Sequence, residues 1–186
     1  MTSNNVGKGI AEFVGTFFLT LTIFIAAVNG SAGAFAPLAI GLTLMVMIYA
    51  LGHVSGAHFN PAVSIGLFLK GDCSKDELPT YLGAQILAGV LAFFVGSELV
   101  LNGADAAEIT AATFDSTIAV LSAEALWTFA LMFVIINVAT EQAGNQFYGA
   151  AIGLTVMAGA FTVGGISLGS FNPAVTAMLT VSGKLA

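Results

Sequence analysis

The sequence contains no arginine, a single cysteine and few charged residues of either sign. Its 186 residues include four lysines against ten acidic residues, which gives a formal net charge of −6. A chain without a basic patch lacks the electrostatic footprint of nucleic-acid binding, so that class of partner is excluded. The lone Cys73 cannot form an internal disulfide framework or a cysteine metal cluster. No nucleophile–base pair stands out either, so we predict no enzyme activity, no cofactor and no metal site.

Charge is also missing from long stretches of the chain. The apolar share is 58%, the charged share is 8% and the mean hydropathy is +0.98. Soluble domains are roughly 45–50% apolar and about 25% charged. The stretches without Asp, Glu, Lys or Arg are Phe13 to Leu69, Leu78 to Ser97 and Gln142 to Gly183. Each is long enough for a helix of roughly 20 residues that spans a bilayer. The sequence therefore predicts a polytopic membrane protein.

An internal repeat divides the chain into two related parts. Three blocks recur at one offset of 112 positions: Ala11-Glu12 as Ala123-Glu124, Ala39–Thr43 as Ala151–Thr155, and Phe59–Val63 as Phe171–Val175. Because the three blocks share one register without a gap, they indicate a tandem duplication. We predict a single membrane domain over 1-186, with repeat one at 9-101 and an incomplete repeat two at 118-186.

The apolar runs predict five spanning helices, at about 10–29, 36–53, 80–101, 118–139 and 147–165. The segments that open at Asn60 and Asn172 are different. Each places Asn before Pro, the pattern of a helix N-cap followed by Pro in the first turn. Each stays compatible with a helix for about ten residues, which is ~15 Å, or half of a hydrocarbon core of ~30 Å. We therefore predict two re-entrant half-helices.

Lysine placement predicts the orientation of the chain. One set of predicted helix ends carries Lys8, Lys70 and Lys75, whereas the loop after the third helix carries Asp105, Glu108 and Asp115. By the positive-inside rule the N-terminus is cytoplasmic, in a plasma or inner membrane. A complete repeat has three spans, an odd number, which turns the second repeat upside down, so the half-helices enter from opposite faces. Inverted repeats with broken helices that meet at the midplane are typical of a transport pathway.

The partner of the third helix would lie at about 192–213, and the sequence ends at Ala186. The chain therefore contains five spans and two half-helices of an architecture that calls for six and two. A fragment of a longer protein and a natural short form both agree with this pattern.

The half-helix ends suggest what the pathway carries. A helix that begins inside the membrane has unpaired N–H groups and roughly half a positive charge at that end. The segments Gly56-Ala57-His58 and Leu168-Gly169-Ser170 would direct carbonyl oxygens along the cavity, and Asn60 with Asn172 would offer amide donors. Water or small hydroxylated molecules can exchange bulk hydrogen bonds for these groups, whereas a cation or a hydronium ion meets two positive helix ends. We predict a passive pore for neutral solutes.

At these residues the sequence resembles the major intrinsic protein family, the aquaporins and aquaglyceroporins. The matching segments are Ala11-Glu12-Phe13, Gly15-Thr16, Gly52–Val63, Ala84-Gln85 and Phe171–Ala174. The resemblance covers the whole chain. It implies an all-α membrane protein, a right-handed bundle of inverted repeats with two half-helices meeting at the midplane. It also implies one pore per protomer, usually in a homotetramer within the lipid bilayer. The pore motifs would be Asn60, Pro61, Ala62 and Asn172, Pro173, Ala174.

The resemblance also assigns a selectivity constriction. The family usually carries Arg directly after the second Asn-Pro-Ala, where this chain has Val175, and the other three positions would be Ile40, Ala160 and Gly169. Such a ring is wide, apolar and uncharged, and it would admit glycerol, urea or ammonia beside water. Loss of Arg removes a charge barrier, but an apolar ring raises the cost of passing a dehydrated ion. We expect the central dipoles to keep cations out.

Four titratable residues are further candidates. Glu12 and Glu124 occupy equivalent positions inside spans, where an ionisable group is costly and usually faces the interior. We expect them to brace the re-entrant loops by accepting backbone N–H groups; a proton relay is the alternative. His58 is expected to contact the pore, and both His53 and His58 are possible gating residues because histidine titrates near neutral pH.

Two other functions stay open at this point. A secondary transporter could use the inverted repeats for alternating access, although beyond the two glutamates the sequence offers it no charge at the midplane. A non-conducting fragment or partner of a complete aquaporin is the second alternative, and it follows from the missing sixth helix.

Overall fold

The computed structural model of the protein describes residues 3–103, 109–142 and 144–185. These residues form a helical bundle without a β-strand. The α-helices are α1 (Ser3–Ile23), α2 (Ala36–Ser55), α3 (Pro61–Lys70), α4 (Leu78–Phe94), α5 (Thr117–Ile135), α6 (Tyr148–Ser167) and α7 (Pro173–Val181). Five helical segments, built on α1, α2, α4, α5 and α6, are long and apolar enough to cross a membrane, as predicted. Asp105 and Glu108 of the predicted acidic loop lie outside the described residues.

The helix ends differ from the apolar runs in two ways. The first helix begins at Ser3, well before residue 10, because polar residues of its first turns are held by the α3–α4 connection. Asn5 donates to the carbonyl of Asp76, and Lys8 bonds Glu77. In addition, three spanning helices end in a wider π turn that a regular helical period does not predict. These turns are Phe24–Val28 after α1, Val95–Val100 after α4 and Ile136–Thr140 after α5.

The two repeats meet along α2 and α6, where glycine allows the backbones to touch. A Cβ atom built on Gly41 would lie 2.7 Å from the carbonyl oxygen of Gly153, and one on Gly153 would lie 2.5 Å from that of Gly41. Small residues at such crossings are the usual means by which membrane helices approach closely. The contact is reciprocal, as the internal repeat requires.

The predicted half-helices are α3 and α7. Asn60 and Asn172 are extended N-cap residues, and each side chain accepts the backbone N–H two residues ahead, in Ala62 and Ala174, at 2.9 Å. A proline follows each cap in the first turn, where its missing N–H costs nothing. Each half-helix ends after ten residues or fewer.

Polar and apolar side chains are distributed as in a protein surrounded by lipid. Large apolar side chains on the spanning helices face outward, among them Ile118, Leu121 and Phe129 of α5. Polar side chains lie inside, where Glu12 and Gln85 have no exposed surface. In water, so many exposed apolar side chains would be unfavourable. In a bilayer they face lipid, and polar groups must find their hydrogen-bond partners within the protein. The chain is therefore a multi-pass membrane protein.

Candidate functional site

The N-termini of the two half-helices meet in the middle of the bundle through a reciprocal pair of hydrogen bonds. The amide Nδ2 of Asn60 donates to the carbonyl oxygen of Phe171, and Nδ2 of Asn172 donates to that of Phe59, both at 2.8 Å. Phe59 and Phe171 each have a φ of 49°, in the left-handed region that phenylalanine rarely adopts. Each asparagine thus caps its own half-helix with its oxygen and holds the opposite loop with its nitrogen.

Glu12 braces the first re-entrant loop from inside α1. Its carboxylate accepts the backbone N–H groups of His58 at 2.9 Å and Phe59 at 2.7 Å, the hydroxyl of Ser55 at 2.6 Å and the amide of Gln85 at 2.8 Å. Four donors satisfy the oxygens of this buried carboxylate and fix the strained backbone before Asn60.

Glu124 makes the equivalent contacts to the second loop from α5. It accepts the backbone N–H groups of Ser170 at 3.0 Å and Phe171 at 2.7 Å, and the hydroxyl of Ser167 at 2.6 Å. In the described part of the chain, the amide that Gln85 supplies to Glu12 has no counterpart here. Both glutamates therefore have neutral donors as partners, and the second has one fewer.

The two candidate gating histidines occupy different environments. His58 is buried, its Nδ1 lies 3.0 Å from the hydroxyl of Ser64, and its ring meets the edge of Tyr81. The Tyr81 hydroxyl in turn donates to the carbonyl of Ser55 at 2.6 Å. His53 is exposed and borders an adjoining polar pocket, which contains Lys8 and Glu77 and shares His58 with the central cavity. The structure thus places His58, and not His53, in the wall of the central cavity.

A cavity of about 250 Å³ runs past the paired asparagines. Both predicted carbonyl segments line it, Gly56, Ala57 and His58 on one side of the pair and Leu168, Gly169 and Ser170 on the other, together with Asn60 and Asn172. The remaining residues of the two motifs stand back from it. Pro61 and Pro173 begin the half-helices, Ala62 follows in α3, and Ala174 is buried against Gly89 of α4.

The four predicted constriction residues line the same cavity. They are Ile40 of α2, Ala160 of α6, Gly169 of the second loop and Val175 of α7. Gly169 has a φ of 63°, and a Cβ atom built on it would lie 3.5 Å from Cα of Ala160. Two members of the set are therefore neighbours. None of the four carries a charge.

Several residues of this site were missed by sequence reasoning. Ser55 and Ser167 support the two glutamates, and they are separated by the 112-residue repeat offset, so the repeat contained the signal. Tyr81 and Ser64 orient the first loop, and neither belongs to a sequence motif that marks such a role. Among the described residues, no group of three or more His, Cys, Asp or Glu side chains is placed to hold a metal ion.

Comparisons with known proteins agree with this geometry. A family model described as Major intrinsic protein matches residues 1–174. The chain is 37% identical over 174 residues to a putative aquaporin, NIP4-1, of Arabidopsis thaliana, a match that covers 90% of this chain and 61% of the relative. It is 39% identical over 176 residues to aquaporin NIP1-3 of Oryza sativa subsp. japonica, with 91% and 61% covered. The chain thus spans about three fifths of the length of these relatives.

A solved structure gives the same result. The fold matches the aquaglyceroporin from Plasmodium falciparum with a TM-score of 0.79 and 25% sequence identity, over 96% of this chain and 81% of that one. The matched family model covers nearly all of the sequence, including both re-entrant loops and the paired asparagines. This chain belongs to the major intrinsic protein family.

Proposed function

We propose that this chain forms a passive transmembrane pore for water and small uncharged solutes such as glycerol, urea or ammonia. The observation that carries the proposal is the reciprocal bonding of Asn60 and Asn172 beside a mostly apolar cavity. Both half-helix N-termini converge there, so two positive dipole ends and a short file of carbonyl oxygens face any passing molecule. Neutral hydrogen-bonding solutes are accepted, and cations and protons are opposed.

The constriction would lie at Ile40, Ala160, Gly169 and Val175. Because these side chains are apolar or absent, the pore discriminates there by width and not by charge. Solute passes from the carbonyls of one loop to the asparagine pair and on to the carbonyls of the other loop. The acidic braces Glu12 and Glu124 hold the loops, since each binds neutral donors and neither lines the cavity.

The setting of the pore is part of the same proposal. The N-terminus would be cytoplasmic, in a cell membrane, because Lys8, Lys70 and Lys75 lie on one face. Each protomer would contain its own pore, and the family resemblance favours a homotetramer. Gating by His58 would act on the cavity wall directly, whereas gating by His53 could act only from the neighbouring polar pocket.

Stopped-flow light scattering on proteoliposomes tests the proposal. Vesicles that contain the 186-residue chain should shrink faster in sucrose than empty vesicles, and in glycerol they should shrink and rapidly re-swell. Ala160→Phe should narrow the constriction and slow glycerol entry more than water flow. Ala158→Phe is the matched control, because Ala158 lies on the same helix and is exposed. Shrinkage no faster than in empty vesicles would contradict a pore, and saturable, gradient-driven uptake would indicate a transporter.

A further inference from the structure

Asp72 and Lys184 follow the two half-helices at equivalent positions of the internal repeat. The backbone N–H of Asp72 donates to the carbonyl of Leu67 at 2.8 Å, and that of Lys184 donates to the carbonyl of Leu179 at 3.0 Å. Leu67 and Leu179 are themselves a repeat pair. Both Asp72 and Lys184 line the central cavity. Since α3 and α7 diverge from a common centre, these residues mark opposite ends, which we name the α3 mouth and the α7 mouth.

The two charges have different surroundings. The Asp72 carboxylate bonds the ammonium of Lys70 at 2.7 Å, and Lys70 also bonds Glu141 at 2.8 Å, so Asp72 is paired at the α3 mouth and these three side chains carry one net negative charge. The repeat counterpart of Lys70 is Ser182, which has no charge and cannot neutralise Lys184. The Lys184 ammonium instead donates to the neutral carbonyl of Thr110 at 3.0 Å. Within the ranges that the structure describes, no carboxylate lies within 4.0 Å of it.

The position of Lys184 gives this charge access to the solute path. Leu179 lies one helical turn, about 6 Å, beyond Val175 of the constriction. The Lys184 backbone is hydrogen-bonded to Leu179, and Lys184 is one of the residues that line the cavity. A molecule that enters through the α7 mouth therefore passes Lys184 before it reaches the uncharged ring. The described acidic residues at the same end of the bundle as Lys184 are Glu98 and Asp115, and neither lines the cavity.

Resting on the proposed function, we infer that Lys184 is a specificity-determining residue: its ammonium repels cations at the α7 mouth, ahead of a constriction that has no charge of its own. At about 8 Å from a unit charge, with an effective dielectric constant of about 60, the local concentration of a monovalent ion changes about threefold. The effect on neutral solutes is nil. Exclusion of cations is then shared between a charge at the entrance and the dipoles at the centre.

Modification of an engineered cysteine measures the local potential directly. In a Cys73→Ala background, Ala160→Cys places one thiol in the cavity wall on the α7 side of the asparagine pair. The protein in neutral maltoside micelles is treated with a cationic trimethylammonium methanethiosulfonate or an anionic sulfonate analogue. Mass spectrometry then gives the ratio of the two modification rates.

Lys184→Gln keeps a donor for Thr110 and removes the charge, so the cation-to-anion rate ratio should rise about tenfold, threefold from each reagent. Lys184→Glu should raise the ratio about a hundredfold, and Lys184→Arg should restore the original value. The control is Lys75→Gln, which removes an exposed lysine outside the cavity wall and should leave the ratio unchanged. High salt should reduce every difference, because it shortens the screening length to a few ångströms.

Water flow in proteoliposomes separates the possible failures. If the engineered thiol reacts and water flow persists, but the Lys184 variants leave the rate ratio unchanged, the inference is wrong and the proposed pore stands. If the engineered thiol reacts with neither reagent and water flow is absent, the cavity is not an open pore, and both the inference and the proposed function are wrong.

Discussion

The paired asparagines offer a test in which one side chain's two contributions can be separated. Asn60 caps α3 through its oxygen and holds the Phe171 carbonyl through its nitrogen. Asn60→Ser preserves the cap, because serine is an equally good N-cap, but its hydroxyl is too short to reach Phe171. Asn60→Ala removes both contacts. The two variants therefore differ by the cap alone, and each differs from the natural chain by the bond between the half-helices.

The expected magnitudes follow from these contacts. A buried carbonyl left without a partner costs roughly 1–3 kcal/mol. We expect the lower half of that range because Phe171 lines the cavity, where water can enter. Loss of the cap adds about 1 kcal/mol. Asn60→Ala should therefore be about 1 kcal/mol less stable than Asn60→Ser. By the symmetry of the repeat, Asn172→Ser should cost the same as Asn60→Ser, since the two bonds have equal lengths of 2.8 Å.

Equilibrium unfolding in mixed detergent micelles measures these differences. Trp127 is the single tryptophan of the chain, and its ring centroid lies 6.2 Å from that of Phe171, so its fluorescence reports on this junction. Far-ultraviolet circular dichroism checks that the whole bundle unfolds in the same transition. If Asn60→Ser is as stable as the natural chain, the bond to Phe171 contributes nothing and the reasoning fails. If Asn60→Ser and Asn60→Ala are equally unstable, the cap contributes nothing.

Two further predictions concern packing and pH. A Cβ atom on Gly89 would lie 2.3 Å from the Ala174 carbonyl oxygen, so Gly89→Ala should displace α7 and lower both stability and water flow. Gly83→Ala, on the same helix with nothing within 4 Å, should be neutral or stabilising by about 0.5–1 kcal/mol, and equal effects of the two would refute the close approach. The Lys8 ammonium lowers the pKa of the Glu77 carboxyl from 4.5 to about 2. A lowered pKa adds stability above about pH 4.5 that is lost as the pH falls towards 2. The melting temperature of Lys8→Met should thus fall below that of the natural chain at pH 7, with a smaller gap at pH 3; an unchanged gap would contradict the pairing.

Most of the fold could be predicted, because a bilayer restricts the possible structures. Uncharged stretches of sufficient length must be helical where backbone groups meet hydrocarbon, and the Asn-Pro pairs set where the half-helices begin. The start of α1 could not be predicted, since Asn5 and Lys8 are polar and become helical through contacts with Asp76 and Glu77. The π turns also escaped prediction, because no residue type in them requires that winding.

The site was predictable as far as the internal repeat extends. Asn60 with Asn172 and Glu12 with Glu124 are repeat pairs, and Ser55 with Ser167 could have been found by the same offset. Gln85 and Tyr81 each support the first loop alone, so no repetition points to their contacts. Their positions follow from how α4 lies against α1 and reaches the end of α2, which depends on three-dimensional packing and not on local pattern.

The bonds between the half-helices also determine an order of assembly. Asn60 and Phe171 are separated by 111 positions, and Asn172 and Phe59 by 113. Synthesis and membrane insertion proceed from the N-terminus, so α1 to α4 are in place long before Phe171 emerges. Until then the Asn60 amide and the Phe59 carbonyl lack their hydrogen-bond partners in the second loop. The first loop is held meanwhile by Glu12 and its neighbours. The junction between the half-helices therefore forms only once α7 has been made, and a nascent chain that stops before α7 has a braced first loop without its partner loop.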